Sequence, residues 1–258
     1  MKSEGKIALK HYVRVVVVLV PLLAAFSCAH RESSEARKRE AERAQRLEAE
    51  LTKKFASLGE QTKQLREDLE KQQVNLAIVV PDYKNYHEQL IARSRQVDEI
   101  DQLVAARKYG EIAPLALAGF KDSEALAMQF LQKGMEALQA SIKAIDANKY
   151  SEVSQSNKKA EYFKALAGMA TVHEGIFFNV FNTLLLNSPA ADRARLFEQA
   201  AKTYSLVKRP GAQTMLAQGL QTAYKEEDDA DNKKRMEGWL KENQIPESTP
   251  AATPATPG

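Results

Sequence analysis

The sequence predicts an all-α protein: an N-terminal signal, a long coiled-coil-like helix, and then a helical bundle or irregular array of helical hairpins. Three observations lead there. Only 11 Gly and 9 Pro interrupt 258 residues that are 44% hydrophobic and 28% charged, a composition suited to packed or rod-like helices and not to a chain disordered throughout. Apolar residues recur at three- and four-residue spacing along most of the chain. No run alternates apolar with polar residues long enough to read as a strand.

The first element is a targeting segment, residues 1–27. Lys2, Lys6, Lys10 and Arg14 precede an apolar run from Val15 to Phe26, which ends at Ser27 and Cys28. A basic start, a short apolar stretch and a small-residue boundary are the three parts of an export signal. The run is shorter than the ~20 residues a membrane-spanning helix needs, and Pro21 interrupts it.

The stretch Ala25-Phe26-Ser27-Cys28 resembles the lipobox of bacterial lipoproteins, in which small residues precede a cysteine that becomes the mature N-terminus. The family prefers Leu where Ala25 stands and a small residue where Phe26 stands. The resemblance implies cleavage between Ser27 and Cys28, a diacylglyceryl group on the Cys28 sulfur and a fatty acyl chain such as palmitate on the new amine. Ala29, where inner-membrane lipoproteins usually carry Asp, implies an outer-membrane anchor facing the periplasm. Two or more acyl chains anchor a protein stably where one does so marginally.

Cys28 is the only cysteine, so the chain can form neither an internal disulfide nor a thiol-based zinc or redox site. The formal charge of +3 comes entirely from the signal, since the residues after position 27 hold 33 basic and 33 acidic side chains. Such a balanced surface offers no basic face to a phosphate backbone, which argues against nucleic acid as a partner.

Residues 28–80 form the second segment, a lipidated N-terminus followed by a charged coiled-coil-like stalk. Between Ser33 and Val79 the only helix breaker is Gly59, and Glu35/Arg39, Glu42/Arg46, Glu50/Lys54 and Glu67/Lys71 stand at i, i+4, each contributing about 0.3 kcal/mol. A heptad places Ala44, Leu51, Leu58, Leu65, Gln72 and Val79 at one core position, and Phe55, Thr62, Leu69 and Leu76 at the other. Leu51, Phe55, Leu58, Leu65, Leu69 and Leu76 are its apolar seam. The pattern fits either a coiled coil with another helix or a long helix laid on the downstream body. Pro81 ends it.

The third segment, 81–245, reads as an all-helical domain. Helices are expected from Pro81 to about Lys108, then over 123–147, 151–183, 190–207, 213–224 and 229–242, with a break at Gly110. Trp239 and Leu240 mark the last packed turn. The segments Ala105–Tyr109, Ala144–Tyr150 and Ala200–Tyr204 share an Ala-rich stretch closed by Tyr. They are similar to fragments of tetratricopeptide-like helical hairpins, although the ~34-residue period and the fuller motif of that family are missing. Residues 246–258, rich in Pro, Thr and Ala, form a tail too poor in apolar bulk to order itself.

Reactive constellations are sparse. His173-Glu174 opens like a zinc-protease motif, but Phe177 occupies the place of the second ligand, so no metal site is expected. His87-Glu88 reads as a surface pair on a helix. Glu226, Glu227, Asp228, Asp229 and Asp231 lack the glycine and alternating ligands of a calcium loop and read as a solvated turn. Residues 165–186 are the most apolar stretch after the signal. A buried core helix is the favoured reading, since His173 and Glu174 interrupt it, and a membrane-inserting hairpin is the alternative.

The function expected is that of a membrane-anchored bacterial envelope lipoprotein acting as a non-enzymatic structural or protein-interaction module. Its partners would be the membrane, through lipid on Cys28, and another envelope protein or a second copy of itself. No cofactor or small-molecule substrate is indicated. The alternatives are a membrane-active, pore-forming-like helical protein and an envelope enzyme whose site has no sequence signature.

Overall fold

The strong helix formers of the chain give seven helices among the described residues and no strand: α1 (Gly5–Lys71), α2 (Tyr83–Ala105), α3 (Tyr109–Asp146), α4 (Tyr150–Asn187), α5 (Ala190–Tyr204), α6 (Pro210–Glu226) and α7 (Ala230–Glu242). The protein is all-α. The computed structural model describes the backbone of residues 5–71 and 80–246, and the side chains of 80–246 and of 35–71 other than 36 and 56. The side chains of Ser27, Cys28 and Leu76, and the Pro-rich tail from 247 onward, lie outside the described residues.

Backbone contacts divide the chain into two units, 1–45 and 46–258. The first is the leading part of α1, with Lys38 and Glu42 paired one turn apart. The second holds everything else, including the rest of α1.

In that second unit the heptad seam finds its partner within the chain. Leu51, Phe55 and Leu58 are buried in one core cluster with Val97 and Ile100 of α2, Ile112 of α3 and Phe177 and Phe181 of α4. Leu69 belongs to a second cluster with Leu90, Phe130 and Phe163, and Leu65 packs against both. Thr62, the polar seam residue, is buried with its hydroxyl donating to the Leu58 carbonyl at 2.9 Å. Polar contacts flank the seam: Lys54 Nζ donates to Thr183 Oγ1 at 2.6 Å, Arg107 pairs with Glu48 at 2.6 Å, and Arg66 pairs with Asp98. Over 46–71 this is a docked helix of the bundle.

The turns explain the shared Ala-to-Tyr segments. After α2, Arg107 adopts φ 57°, Lys108 N–H bonds back to the Leu103 carbonyl at 2.9 Å and Arg107 N–H to that of Val104 at 2.9 Å. After α3, Asn148 adopts φ 57°, with Lys149 N–H on Ala144 at 2.8 Å and Asn148 N–H on Ile145 at 2.9 Å. Both are Schellman helix stops, and in both the next Tyr opens the following helix. Gln244 repeats the stop after α7. Ala200–Tyr204 differs, being the last turn of α5. Gly110 breaks nothing, because it lies in the first turn of α3.

α3 and α4, each 38 residues and so about 57 Å long, form an antiparallel hairpin. Small residues let them approach. Ala127, Gly134, Ala137, Ser141 and Ala144 of α3 are buried along with Phe130. At Gly119 the approach is closest: an added Cβ would lie 2.6 Å from the Phe177 ring, which is itself wholly buried. Gly119→Ala is therefore expected to destabilise the protein by about 1–2 kcal/mol through overpacking, despite the ~1 kcal/mol that Ala gains over Gly in a helix. Gly59→Ala, with nothing within 4 Å of the new methyl, is expected to gain up to ~1 kcal/mol. Urea midpoints of the two variants check both signs.

The apolar stretch 165–186 is the central core helix. Phe177, Val180, Phe181, Leu184 and Leu185 are buried, and Phe178 and Leu186 partly so. Around its C-terminal end α5, α6 and α7 pack together. Trp239 stacks on Phe197 with centroids 6.2 Å apart, and Asn232 Nδ2 donates to the Ala190 carbonyl at 2.8 Å. Leu240 is buried as expected, and Ile245 extends the packing one turn further.

The acidic turn before α7 corrects the sequence reading. Glu227 is buried, and its two carboxylate oxygens accept from Arg193 Nε at 3.0 Å and Nη2 at 2.7 Å. Asp229 caps α7 by accepting from Asn232 N–H at 2.8 Å. The cluster is partly a structural clamp and not wholly solvated.

Candidate functional site

Two arrangements stand out: a buried polar group at the middle of α4 and an exposed apolar face on α3. In the first, Ser94 of α2 and His173 of α4 are sealed from solvent with Ser94 Oγ 3.0 Å from His173 Nε2. His173 Nδ1 lies 3.1 Å from the Met169 carbonyl. A carbonyl can only accept, so Nδ1 carries the proton and Nε2 accepts from the Ser94 hydroxyl. Burial lowers the His173 pKa to about 4, its bond to the Met169 carbonyl opposes this, and Arg93 and Arg66 push it further down. A neutral imidazole facing a serine hydroxyl is the geometry of a nucleophile and its base, yet at 2% and 1% exposure the pair joins α2 to α4 out of reach of a substrate.

Beside it, Glu174 is fully buried with Oε1 accepting from Arg209 Nη2 at 3.1 Å, while Oε2 has no hydrogen-bond partner. Burial raises its pKa to about 7, with Arg209 opposing and Glu124 reinforcing. Glu124 is held in turn by the backbone N–H groups of Lys208 and Arg209, at 3.1 and 2.9 Å. Among the described residues no group of three His, Cys, Asp or Glu side chains could hold a metal ion.

The two neighbours titrate with opposite signs. Glu174, raised when folded, favours the native state at low pH and loses that contribution as pH climbs from about 4.5 to about 7. His173, depressed when folded, contributes above pH ~6.5 and loses it as pH falls towards about 4. Between these limits the slopes cancel in part. Glu174→Gln is expected to expose the His173 slope, so that melting temperature falls on acidification from pH 6.5 to 4.5 more steeply than in the parent. His173→Gln is expected to tilt the curve the other way. Thermal melts across pH 4–8 distinguish them.

His87, expected on the surface, is buried instead, edge-on to Tyr83 at 5.5 Å between centroids and 6.0 Å from Tyr162. Its desolvation lowers its pKa. Glu88, its neighbour, remains exposed, so only half of that surface pair is correct.

The second arrangement was not singled out by the sequence reading. Met128, Leu131, Met135, Leu138, Ile142 and Ile145 are exposed by 38%, 44%, 61%, 51%, 59% and 52%. They follow one another at spacings of three and four, an uninterrupted heptad seam. Each comes one residue after a member of the buried row Ala127, Phe130, Gly134, Ala137, Ser141 and Ala144. α3 therefore carries two heptad seams, and the one with mostly small residues faces α4. The large residues are left outside. At the lower end of this face Leu206, Val207 and Lys208, between α5 and α6, join Met128, Leu131 and Met135 in lining an open groove of about 880 Å³.

Of the sequence-predicted site residues, Leu51, Phe55, Leu58, Leu65 and Leu69 come together in the cores, and Cys28, Ser27 and Leu76 fall outside the described side chains. Among the described residues no helix is long and apolar enough to cross a membrane. No family model, curated protein or solved structure matches the chain.

Proposed function

We propose that this chain is a bacterial envelope lipoprotein, tethered by lipid on Cys28, whose helical body is a non-enzymatic protein-interaction module. The observation that carries the interaction role is the apolar face of α3. Six large side chains stand open to water in coiled-coil register while mostly small residues occupy the buried seam beside them. Exposed contiguous apolar patches of this kind mark interaction sites, and a heptad seam selects another helix as its natural cover. The tether is read from the lipobox-like Ala25–Cys28 segment.

The two parts are tested separately. Replacing Cys28 by Ser should leave the signal uncut and abolish the added lipid mass. A variant that is cut at the same place as the parent and has the same mass shift would remove the lipid anchor. For the interaction role, Ile142→Glu should abolish co-purification of whatever partner the parent brings down from solubilised envelopes, without lowering the melting temperature. Unchanged co-purification would place the interaction elsewhere.

A further inference from the structure

We infer that the α3 face pairs with the same face of a second copy of this chain, antiparallel, about a two-fold axis level with the midpoint between Met135 and Leu138. The inference deepens the interaction reading by naming the partner, and it rests on that reading only for the idea that the face is covered at all.

The register follows from the heptad. In an antiparallel pair, first-core positions of one helix meet second-core positions of the other. Met128, Met135 and Ile142 are of the first kind, and Leu131, Leu138 and Ile145 of the second. One register matches all six: Met128 against Ile145 of the second copy, Leu131 against Ile142, Met135 against Leu138, and the three reciprocal layers. An isologous two-fold interface requires such self-complementarity, and this stripe has it with no polar residue in any layer.

The flanks agree with a helical partner and argue against a lipid surface. In this register Gln132 lies opposite Gln139 of the second copy, so the positions beside the seam bring no like charges together. Glu136, Lys143 and Asp146 complete the solvent side. A helix that lies on an anionic membrane carries Lys and Arg along both edges of its apolar face, whereas the edge of this one away from α4 carries Gln132, Gln139 and Asp146.

Size is consistent too. Six side chains open by 38% to 61% make a patch on the order of 600 Å², at the upper end of what a monomer normally exposes and close to the ~800 Å² per partner of a standard interface. The groove supplies the rest. In the two-fold register the hairpin tip of the second copy, with Lys149 and the 73%-exposed Tyr150, arrives at the groove end formed by Asp122 and Leu206. An exposed aromatic thereby meets an exposed leucine.

The test uses full-length chains in their own membranes. Two differently tagged copies are expressed together, one carrying Met128→Cys and the other Ile145→Cys, and treated with a short bis-maleimide. The expected product joins the two tags. Neither variant alone should crosslink to itself, because like positions lie 17 residues apart in register, or about 26 Å along the helices. Leu138→Glu in both copies should reduce the mixed product at least tenfold, and because Leu138 is exposed, the melting temperature of the variant should match that of the parent diluted to monomer.

Self-crosslinking of Met128→Cys, a product only with a protein of different mass, or no mixed product would each overturn the pairing. A chain that sediments with membranes yet fails to crosslink defeats this inference alone. A product that persists when Cys28 is replaced by Ser in both copies supports the pairing independently of the anchor.

Discussion

Leu51→Asp is expected to destabilise the body by more than ~4 kcal/mol, because it places a carboxylate where no water or cation can reach it. Leu51 is wholly buried in the cluster shared with Val97, Ile100, Ile112 and Phe177. The same change at Leu138, half open on α3, is expected to alter the stability of the monomer by less than about 0.5 kcal/mol. The contrast separates two heptad seams that look alike on paper. If residues 46–71 were a free stalk, Leu51→Asp would leave the melting temperature of the body where it was. Equilibrium urea unfolding followed by far-ultraviolet circular dichroism measures both.

Arg193→Ala should cost about 3–5 kcal/mol, since it leaves the Glu227 carboxylate buried beside an empty space. The two side chains are 4% and 0% exposed, and Arg193 also donates from Nη1 to the Ser188 carbonyl at 2.8 Å. The Glu227 carboxylate further accepts from Asp229 N–H at 3.0 Å, which ties the turn before α7 to α5. Replacing both partners by Met should recover most of the loss, because a well-packed apolar pair avoids the desolvation that the ion pair has to offset. Denaturation of the single and double variants gives the comparison.

Much of this architecture is legible in the sequence because helix formation is local. Pro81 before α2 and Asp229 before α7 mark helix starts through chemistry within a few residues. The largest shift fell where a turn depended on backbone shape. Arg107 and Asn148 take a left-handed conformation without glycine, so Gly110 attracted the break that belongs three residues earlier. The expected helix over 123–147 was likewise too short at its start, because α3 already runs from Tyr109.

What the sequence could not order was which apolar surface meets which. The α1 seam is genuine, but period alone does not distinguish a second chain from the chain's own α2, α3 and α4. On α3 the difficulty is sharper. Two seams lie one residue apart, and bulk suggests that Met128 to Ile145 should be the buried one. The close approach of α3 to α4 reverses that, since a Cβ at Gly119 would lie 2.6 Å from the Phe177 ring and the buried row holds small residues at every position but Phe130. Buried Glu227 and His87 escaped for a related reason, because a polar side chain in a sequence signals solvent unless its surroundings, Arg193 for Glu227 and Tyr83 and Tyr162 for His87, are known from the fold.

The proposed function requires a helical body held at a membrane through its N-terminus. Intact mass measurement of the protein extracted from envelope membranes tests this most directly. Cleavage before Cys28 with added diacylglyceryl and acyl mass on the new terminus is the result expected. A chain that still begins at Met1, or one that begins at Cys28 with no lipid, would contradict it.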